Sequence, residues 1–254
     1  MSFLHPTFPT LPSQPHLSRT RVLDIIAGMT LARQNVAGEY YHVFNRGAHK
    51  TTVFHDKRDW LRFLFLILYA QSPIFFPQIG RIVTKGSVTE GFGIPLEQQA
   101  EILEKRFVEL VSFCIMPNHF HLIIREVDEG GIAQYMQRVA VAYSNYFNTK
   151  YNASGHVFQG RYKTVHVKDN EQLLYLSSYI HRNPRELSQW KGGKEEQYPY
   201  SSLQDYIDKN RWGGLLATDI IAEQFETTPN SNYRDFVRSS TAKIFEDKLK
   251  DFNI

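Results

Sequence analysis

Two histidines one residue apart, His119 and His121, open the segment HFHLIIRE, which otherwise has the composition of a buried strand. Side chains alternate along a strand, so residues two apart share a face, with Cα atoms about 7 Å apart. Each buried imidazole needs a polar partner, and one shared metal ion would satisfy both. A single core histidine is usually structural, whereas this spacing favours a pair of metal ligands. It does not fix the chemistry, because His-x-His pairs also occur in zinc hydrolases.

A second set of polar side chains recurs at helical spacing in DNEQLLYLSSYIHRNP, residues 169–184. Tyr175, Tyr179 and Asn183 follow at i, i+4 and i+8 along one edge of the apolar stripe. Two imidazoles do not complete a metal shell, and oxygen donors for a third ligand lie on this helix. One interpretation is a tyrosine nucleophile with a ligand amide one turn later. The other is a helix whose tyrosines seal the sheet edge, and periodicity does not choose between Tyr175 and Tyr179.

The elements that must position these residues alternate between strands and helices. Strands are predicted at 40–47, 107–116, 119–126 and 162–167, and helices at 56–70, 96–105, 130–152 and 169–184. A further short strand is predicted at 81–84. The order β-α-β-β-α-β-α predicts an α+β fold, a ferredoxin-like antiparallel sheet with packed helices and one added helix.

The chain divides into three segments. Residues 1–38 hold prolines at three-residue spacing and a weakly helical stretch, which predicts a Pro-rich tail and a short helix. Residues 39–190 form the main domain, with an insert at 71–106. Residues 191–254 are lower in apolar content and are predicted to be a helical extension.

Composition sets broad bounds on function. The net charge of +3 permits a nucleic-acid partner without requiring one. The single cysteine, Cys114, rules out an internal disulfide and fits a reducing cytoplasm, and its apolar strand predicts a core residue. No segment reaches the ~18 apolar residues that a membrane span needs, and the N-terminus lacks a secretion pattern. We therefore expect a cytoplasmic protein.

Two basic segments are candidate nucleic-acid contacts. GRYKTVHVK interleaves cations with an aromatic residue, which suits a phosphate track beside a stacking platform. A solvated strand edge guarded by lysine would have the same pattern. NRGAHK places cations in the turn after the first strand, where ordinary surface is the alternative. The candidates are Arg46, Lys50, Arg161, Tyr162, Lys163 and Lys168. Structural or surface roles are assigned to His42, His55, His156 and His166.

Four motifs, YHVFNRG, MPNHFHLII, GHVFQGRYK and YIHRNP, occur in this order across roughly residues 39–190. Together they resemble the single-tyrosine HUH transposases, most closely the branch called REP-associated tyrosine transposases. HUH denotes His-hydrophobic-His, here His119-Phe120-His121. The resemblance implies a ferredoxin-like HUH nuclease domain that cuts and rejoins single-stranded DNA.

The resemblance also implies roles for individual residues. Tyr179, the tyrosine of the Y-I-x-x-N-P segment, would be the nucleophile and form a 5′-phosphotyrosine. His119, His121 and Asn183 would hold a divalent ion, Mg²⁺ or Mn²⁺. The insertion-sequence branch often has glutamine at the position of Asn183. His181 and Arg182 flank the nucleophile and are candidate contacts to the scissile phosphate.

The implied substrate is an imperfect palindrome folded as a hairpin, with REP-like elements the expected case. Insertion-sequence relatives act as dimers with shared active sites, whereas the REP-associated branch tends to monomers, so a monomer is expected and a dimer is the alternative. Two other functions would fit the same residues: a hairpin-DNA-binding protein with little or no catalysis, and a hydrolytic metalloenzyme that uses water as nucleophile.

Overall fold

The structure is a computed structural model that describes residues 35–226 and 232–252. Apart from residues 35–38, the predicted Pro-rich tail and short helix at 1–38 lie outside the described residues. The main domain and most of the C-terminal extension lie within them.

The centre of the molecule is a four-stranded antiparallel sheet. Its strands in chain order are β1 (Tyr40–Arg46), β2 (Val108–Met116), β3 (His119–Glu126) and β4 (Lys163–His166). They lie in the order β2-β3-β1-β4. This is the strand order of a ferredoxin-like βαββαβ unit, so the predicted α+β class is confirmed.

The helices cover both faces of the sheet. In chain order they are α1 (Lys57–Tyr69), α2 (Ile79–Lys85), α3 (Leu96–Glu104), α4 (Gly131–Tyr151), α5 (Asn170–Arg182), α6 (Leu203–Ile207), α7 (Asp219–Glu226), α8 (Tyr233–Ser239) and α9 (Ala242–Lys248). After α5 the chain continues directly into a 3₁₀ turn, Asn183–Glu186. The predicted helical character of the extension is therefore confirmed over its described part.

The alternation of side chains along β3 divides the core in two. Phe120, Leu122 and Ile124 are buried in the cluster that contains the apolar residues of α1 and α4. Ile123, on the other face, belongs to the cluster beneath α5. His119 and His121 share that second face, as the period of two requires. The sheet thus separates a predominantly apolar layer from the layer that contains the histidines and the tyrosine helix.

Local signals explain where the long helices begin. The Asp56 side chain accepts hydrogen bonds from the backbone N–H groups of Arg58 and Asp59. The Asp59 side chain accepts in turn from the backbone N–H of Asp56, which makes a capping box. Asp169 caps α5 by accepting from Gln172 N at 2.8 Å. Both helices therefore begin one residue after an acidic cap.

The insert contains the one predicted element that is wrong in type. Residues 81–84 lie within helix α2, not within a strand. Isoleucine, valine and threonine there favour a strand by propensity, but Ile79, Ile82 and Val83 recur at helical spacing and pack against the core. Burial of that stripe against α1 decides the conformation.

The extension covers the outer edge of β2. Tyr200 O accepts from Ile115 N at 2.9 Å, and Ser202 N donates to Phe113 O at 2.9 Å. The Ser202 hydroxyl also accepts from Phe113 N. Farther along, Ala217 N donates to Leu110 O at 2.9 Å. The backbone groups at the edge of β2 are therefore paired with the chain's own C-terminal part. Among the described residues, no helix is both long and apolar enough to cross a membrane.

Candidate metal and nucleophile site

His119 is held at the start of β3 by its neighbour in the β2–β3 turn. Its Nδ1 lies 2.7 Å from Asn118 Oδ1. An amide oxygen only accepts, so Nδ1 carries the proton and Nε2 bears a lone pair. Burial lowers the pKa of His119 to about 4, so the ring is neutral at neutral pH. The imidazole is thus in the tautomer that binds a metal through Nε2.

Asn183 faces that lone pair from the end of α5. Its Nδ2 donates to the Tyr179 carbonyl at 3.0 Å, which turns Oδ1 the other way. Asn183 Oδ1 then lies 3.4 Å from His119 Nε2. Two acceptors face each other there with no proton between them at neutral pH. A cation would satisfy both, so the donor set fits a divalent metal.

The second histidine of the pair is positioned by a residue that the sequence analysis treated as structural. His121 Nδ1 lies 2.8 Å from His42 Nε2, in the middle of β1. For His121 to bind a metal through Nε2, its Nδ1 must donate this hydrogen bond and His42 must accept it. His42 is fully buried and its Nδ1 has no hydrogen-bond partner in the described part of the chain. The position of His42, on the same face of a neighbouring strand, was the available signal for its role.

Of the two candidate tyrosines, Tyr179 lies beside the histidines. Its ring makes an edge contact with His121, at a centroid distance of 5.8 Å. Tyr175 packs instead against Phe236 of α8, at 5.2 Å. The structure therefore brings Tyr179, His119, His121 and Asn183 together and leaves Tyr175 in an aromatic cluster.

The surroundings of Tyr179 act on its phenol in opposite directions. Burial raises its pKa above the ordinary value, and the Glu186 carboxylate raises it further. A hydrogen bond with Asn183 and the charge of Arg46 lower it, without cancelling the rise. A neutral phenol must lose its proton to become a nucleophile, so a nucleophilic role for Tyr179 would require additional positive charge at this site.

Two aromatic side chains from the C-terminal segment complete the walls. Phe245 of α9 makes an edge contact with Tyr179 at 5.6 Å. Phe252, which follows α9, is buried and packs against His42 at 5.8 Å. Neither residue could be placed at the site from sequence, because Tyr179 and His42, their partners here, are more than sixty positions away in the chain.

Two predicted DNA contacts lie on the same face as the histidines. Arg46 is the cross-strand partner of His119 and is exposed. Lys163 is the cross-strand partner of Phe44, and its ammonium lies 5.8 Å from that ring. Phe44 in turn stacks on His121. Both cations are therefore within reach of a phosphate at the site.

The other predicted contacts are distributed unevenly. Lys50 and Arg161 are exposed near the Arg46 end of β1, where Gly47 forms a bridge with Phe158. Tyr162 is half-buried and packs against the core, so it presents little free ring for stacking. Lys168 lies at the opposite end of β1, because Val167 N donates to Tyr40 O. β1 is about 20 Å long, so Lys168 is not part of this site.

His181 and Arg182 are corrected from DNA contacts to structural residues. His181 is fully buried and bonds through its two ring nitrogens to Tyr233, Ser112 and Ser202. Arg182 Nη1 donates to the carbonyls of Val237, Arg238 and Ser240. His181 follows Tyr179 by two residues and therefore points about 200° round the helix axis from it. Arg182 follows by three residues and lies closer to the Tyr179 face, but its guanidinium is held by carbonyls of the extension.

Any metal at this site would rest on nitrogen and amide oxygen donors. Within residues 35–226 and 232–252, no group of three or more His, Cys, Asp or Glu side chains is placed to hold a metal ion. The candidate ligands are therefore two imidazoles and the Asn183 amide. Cys114 is fully buried next to this layer and is a core residue, as expected.

Comparison with known proteins gives one family match and one structural match. Residues 87–183 match the family model described as "Transposase IS200 like". A solved structure, "Structure of the REP associates tyrosine transposase bound to a REP hairpin", is similar at a TM-score of 0.44 and 12% identity. That similarity covers 79% of this chain and 94% of the other. No curated protein matches. The family match spans the histidine pair, the tyrosine and Asn183.

Proposed function

We propose that the chain is a member of the IS200-like transposases, whose family model matches residues 87–183, and that it is a metal-dependent endonuclease and strand transferase of single-stranded DNA that acts through Tyr179. The single observation that carries this proposal is the lone-pair arrangement at the site. His119 Nε2 and Asn183 Oδ1 face each other at 3.4 Å, beside His121 and the Tyr179 ring. A structural cluster would place a donor between two such acceptors.

His119, His121 and Asn183 would hold the divalent ion. When bound, it supplies Lewis-acid neutralisation of the nonbridging oxygens of a phosphodiester. Imidazole ligands favour softer ions than Mg²⁺, so we propose Mn²⁺ as the ion that suits this donor set best, with Mg²⁺ as the alternative. The Nδ1 partners Asn118 and His42 keep both imidazoles in the required tautomer.

Tyr179 is the proposed nucleophile. Its phenolic oxygen would attack phosphorus, so that a new O–P bond forms and the bond to the 3′ oxygen breaks. The products are a 5′-phosphotyrosine and a free 3′-hydroxyl, with the phenolic proton lost to solvent or to the leaving oxygen. The covalent bond preserves the energy of the phosphodiester, so a second 3′-hydroxyl can reverse the step and join strands.

Arg46 and Lys163 would contact the phosphate from the open side of the sheet. Both lie on the site face, and their charge favours the phenolate form of the nucleophile. Lys50 and Arg161 would continue this contact along the same end of the sheet. We propose a hairpin, REP-like palindrome as the natural substrate, in accord with the motifs YHVFNRG and YIHRNP.

The test is covalent capture of DNA by Tyr179. Wild-type protein incubated with Mn²⁺ and a labelled hairpin that has a single-stranded 5′ extension is expected to give an adduct that survives SDS. Tyr179→Phe removes the nucleophile and should abolish the adduct while hairpin binding persists. Tyr175→Phe is the matched control, because it changes a tyrosine one turn away whose ring contacts Phe236 and not the histidine pair.

Other outcomes would support the competing functions. Cleavage that survives Tyr179→Phe would identify a hydrolytic enzyme with a water nucleophile. Hairpin binding by wild type without any adduct or cleavage would identify a binding protein. Either result overturns the proposed strand transfer.

A further inference from the structure

A basic cavity lies on the side of the sheet away from the tyrosine. It has a volume of about 440 Å³ and is lined by Arg58 of α1, by residues of α2 and by Tyr146 of α4. The α2 residues that line it are Gly80, Arg81, Thr84 and Lys85. The lining contains three cations and no carboxylate. This composition points to an anionic ligand.

The three cations of the lining, together with Arg62 beside it, stand in two rows. Arg58 and Arg62 are four residues apart on α1, and Arg81 and Lys85 are four residues apart on α2. Residues at this spacing lie about 6 Å apart on one helix face. Arg58, Arg81 and Lys85 are exposed, and no ion pair involves any of them within the described parts of the chain. Two rows of unpaired cations suit a linear polyanion better than a compact ion.

Arg62, which lies beside the lining and contacts Tyr146, has unsatisfied hydrogen-bonding capacity. Its Nε is buried and has no hydrogen-bond partner in the described residues. Its guanidinium stacks over the Tyr146 ring at 5.0 Å. Asp56 and Asp59 lie nearby and both pair with Lys150, at 2.7 and 2.6 Å. Lys150 offsets one of their two negative charges, so the three cations of the lining still exceed the remaining carboxylate charge.

The aromatic content of the cavity argues against a single strand as its ligand. Unpaired bases bind by stacking on free aromatic faces. Tyr146 is the aromatic residue of the lining, and it is already contacted by Arg62 and by Lys150, the latter at 5.6 Å. Without a free aromatic face, the cations of the lining can contact phosphates, and phosphate contacts position the nucleic acid without specifying its sequence. The cavity therefore suits the backbone of paired DNA.

The start of α1 is tied to the catalytic end of the sheet. Val53 N donates to Pro117 O at 2.9 Å, in the turn that precedes His119. Asn118, which orients His119, also donates through Nδ2 to Lys50 O. Arg58 follows five residues after Val53, so exposed cations run from Arg46 and Lys50 round this end of the sheet to the cavity.

We propose that the cavity formed by α1, α2 and α4 binds the sugar–phosphate backbone of the paired stem, while the unpaired strand occupies the tyrosine site on the other face. This inference rests on the proposed function for the identity of the DNA. It assigns a role to the insert, since α2 supplies two of the cations. The contact is independent of sequence and adds affinity for any hairpin with a long enough stem.

Salt dependence of binding tests the stem contact. The probes are a labelled hairpin with a stem of about one helical turn and an unpaired strand of the same length, measured by fluorescence anisotropy. Each cation that neutralises a phosphate adds about 0.9 to the slope of log K against log salt. Arg81→Ala/Lys85→Ala should therefore reduce the slope for the hairpin by about 2, and Arg58→Ala by about 1. Neither variant should change the slope for the unpaired strand.

The control removes the same charge elsewhere. Lys191→Ala/Lys209→Ala deletes two exposed lysines of the extension and should leave both slopes unchanged. If the cavity variants behave like this control, or weaken both DNA probes equally, the stem contact is wrong. The covalent adduct is scored separately with Tyr179→Phe. A hairpin-specific loss of slope without any adduct would preserve the cavity assignment and overturn strand transfer alone.

Discussion

At the scale of residues, the site depends on hydrogen bonds that determine which atom of each candidate ligand stays free to bind a metal ion. Asn118 and His42 occupy the Nδ1 atoms of the histidine pair, and the Tyr179 carbonyl occupies the amide nitrogen of Asn183. The atoms that stay free to bind a metal ion are Nε2 of His119, Nε2 of His121 and Oδ1 of Asn183. Such outer partners commonly change metal affinity by 10–100-fold when they are removed.

Asn183 should be essential for metal affinity. Asn183→Ala deletes the only oxygen ligand among the three candidates and is expected to weaken Mn²⁺ binding by about tenfold or more. Asn183→Asp keeps an oxygen and adds a charge, so it should bind Mn²⁺ more tightly than wild type. Calorimetric titration of the metal-free protein measures both changes. Equal affinity in all three proteins would exclude Asn183 as a ligand.

His42 should matter for the metal and not for the fold of the strand. His42→Phe keeps an aromatic ring against Phe44 and Phe252 but removes the acceptor for His121 Nδ1. We expect Mn²⁺ affinity to fall by about 10–100-fold. His156→Phe, at an exposed position, is the matched control. Metal-free hairpin binding should be unchanged in both, and a wild-type Mn²⁺ affinity in His42→Phe would refute the positioning role.

The histidine pair could be predicted from sequence because a period of two is intrinsic to a strand, so His119 and His121 had to share a face. His42 could not be chosen in the same way. Its role depends on the register between β1 and β3, which sets it diagonally opposite His121, and register is a property of pairing rather than of one strand.

At the scale of elements, α5 combines the proposed nucleophile, Tyr179, with the junction to the C-terminal extension. Its core stripe, including Leu176 and Ile180, packs on the sheet. Its last turn points His181 and Arg182 into the extension instead of towards DNA. Helical periodicity predicted the stripe correctly, but neighbours of a catalytic residue in sequence lie about 100° apart around a helix and need not share its surroundings.

Arg182 should be a stability residue. Its guanidinium binds the last carbonyls of α8 and stacks over Phe245 at 5.6 Å. Arg182→Ala is expected to lower the free energy of unfolding by about 1.5–3 kcal/mol, the range for hydrogen bonds to a charged group. Urea denaturation measures this loss.

Lys163, unlike Arg182, should contribute to DNA binding and not to stability. Lys163→Ala should leave stability nearly unchanged and reduce the salt slope of DNA binding by about 1. If Arg182→Ala changed the slope and spared stability, the original assignment of Arg182 as a DNA contact would be restored.

The insert shows where sequence patterns fail at this scale. The β-branched run in α2 favoured a strand, yet its apolar residues also fit a helix, and short apolar runs satisfy both patterns. The packing of α2 against α1 made the choice. That contact could not be predicted from sequence, because residues 71–95 are rich in glycine and proline and their composition favours loops.

At the scale of the whole molecule, buried histidines make stability depend on pH. Burial lowers the pKa of both His42 and His181 to about 3, against about 6.5 in an unfolded chain. Below pH 6.5 the unfolded chain takes up these protons and the folded protein does not. Stability is therefore fully present above about pH 6.5 and is lost as the pH falls towards 3.

Each of these two histidines should contribute a loss of about 1.4 kcal/mol per pH unit within that range. Urea denaturation of the metal-free protein between pH 7 and pH 4 measures the slope. His181→Gln keeps a polar side chain near Ser112, Ser202 and Tyr233. It should reduce the slope by the contribution of one histidine, about 1.4 kcal/mol per pH unit. A slope unchanged in this variant would show that His181 is not protonated on unfolding in this range.

The backbone pairing of the extension with β2 has a consequence for how copies of this chain can associate. Strand edges with free N–H and C=O groups are where two sheets commonly merge. Here the backbone groups of Phe113 and Ile115 already form hydrogen bonds with residues 200–202 of the same chain, so this edge of the sheet is not free to pair with a second copy. The opposite edge, β4, offers only four residues, two of them charged or titratable at its ends. A continuous intermolecular sheet is therefore disfavoured on both sides, and one chain contains all of the proposed metal ligands and the proposed nucleophile.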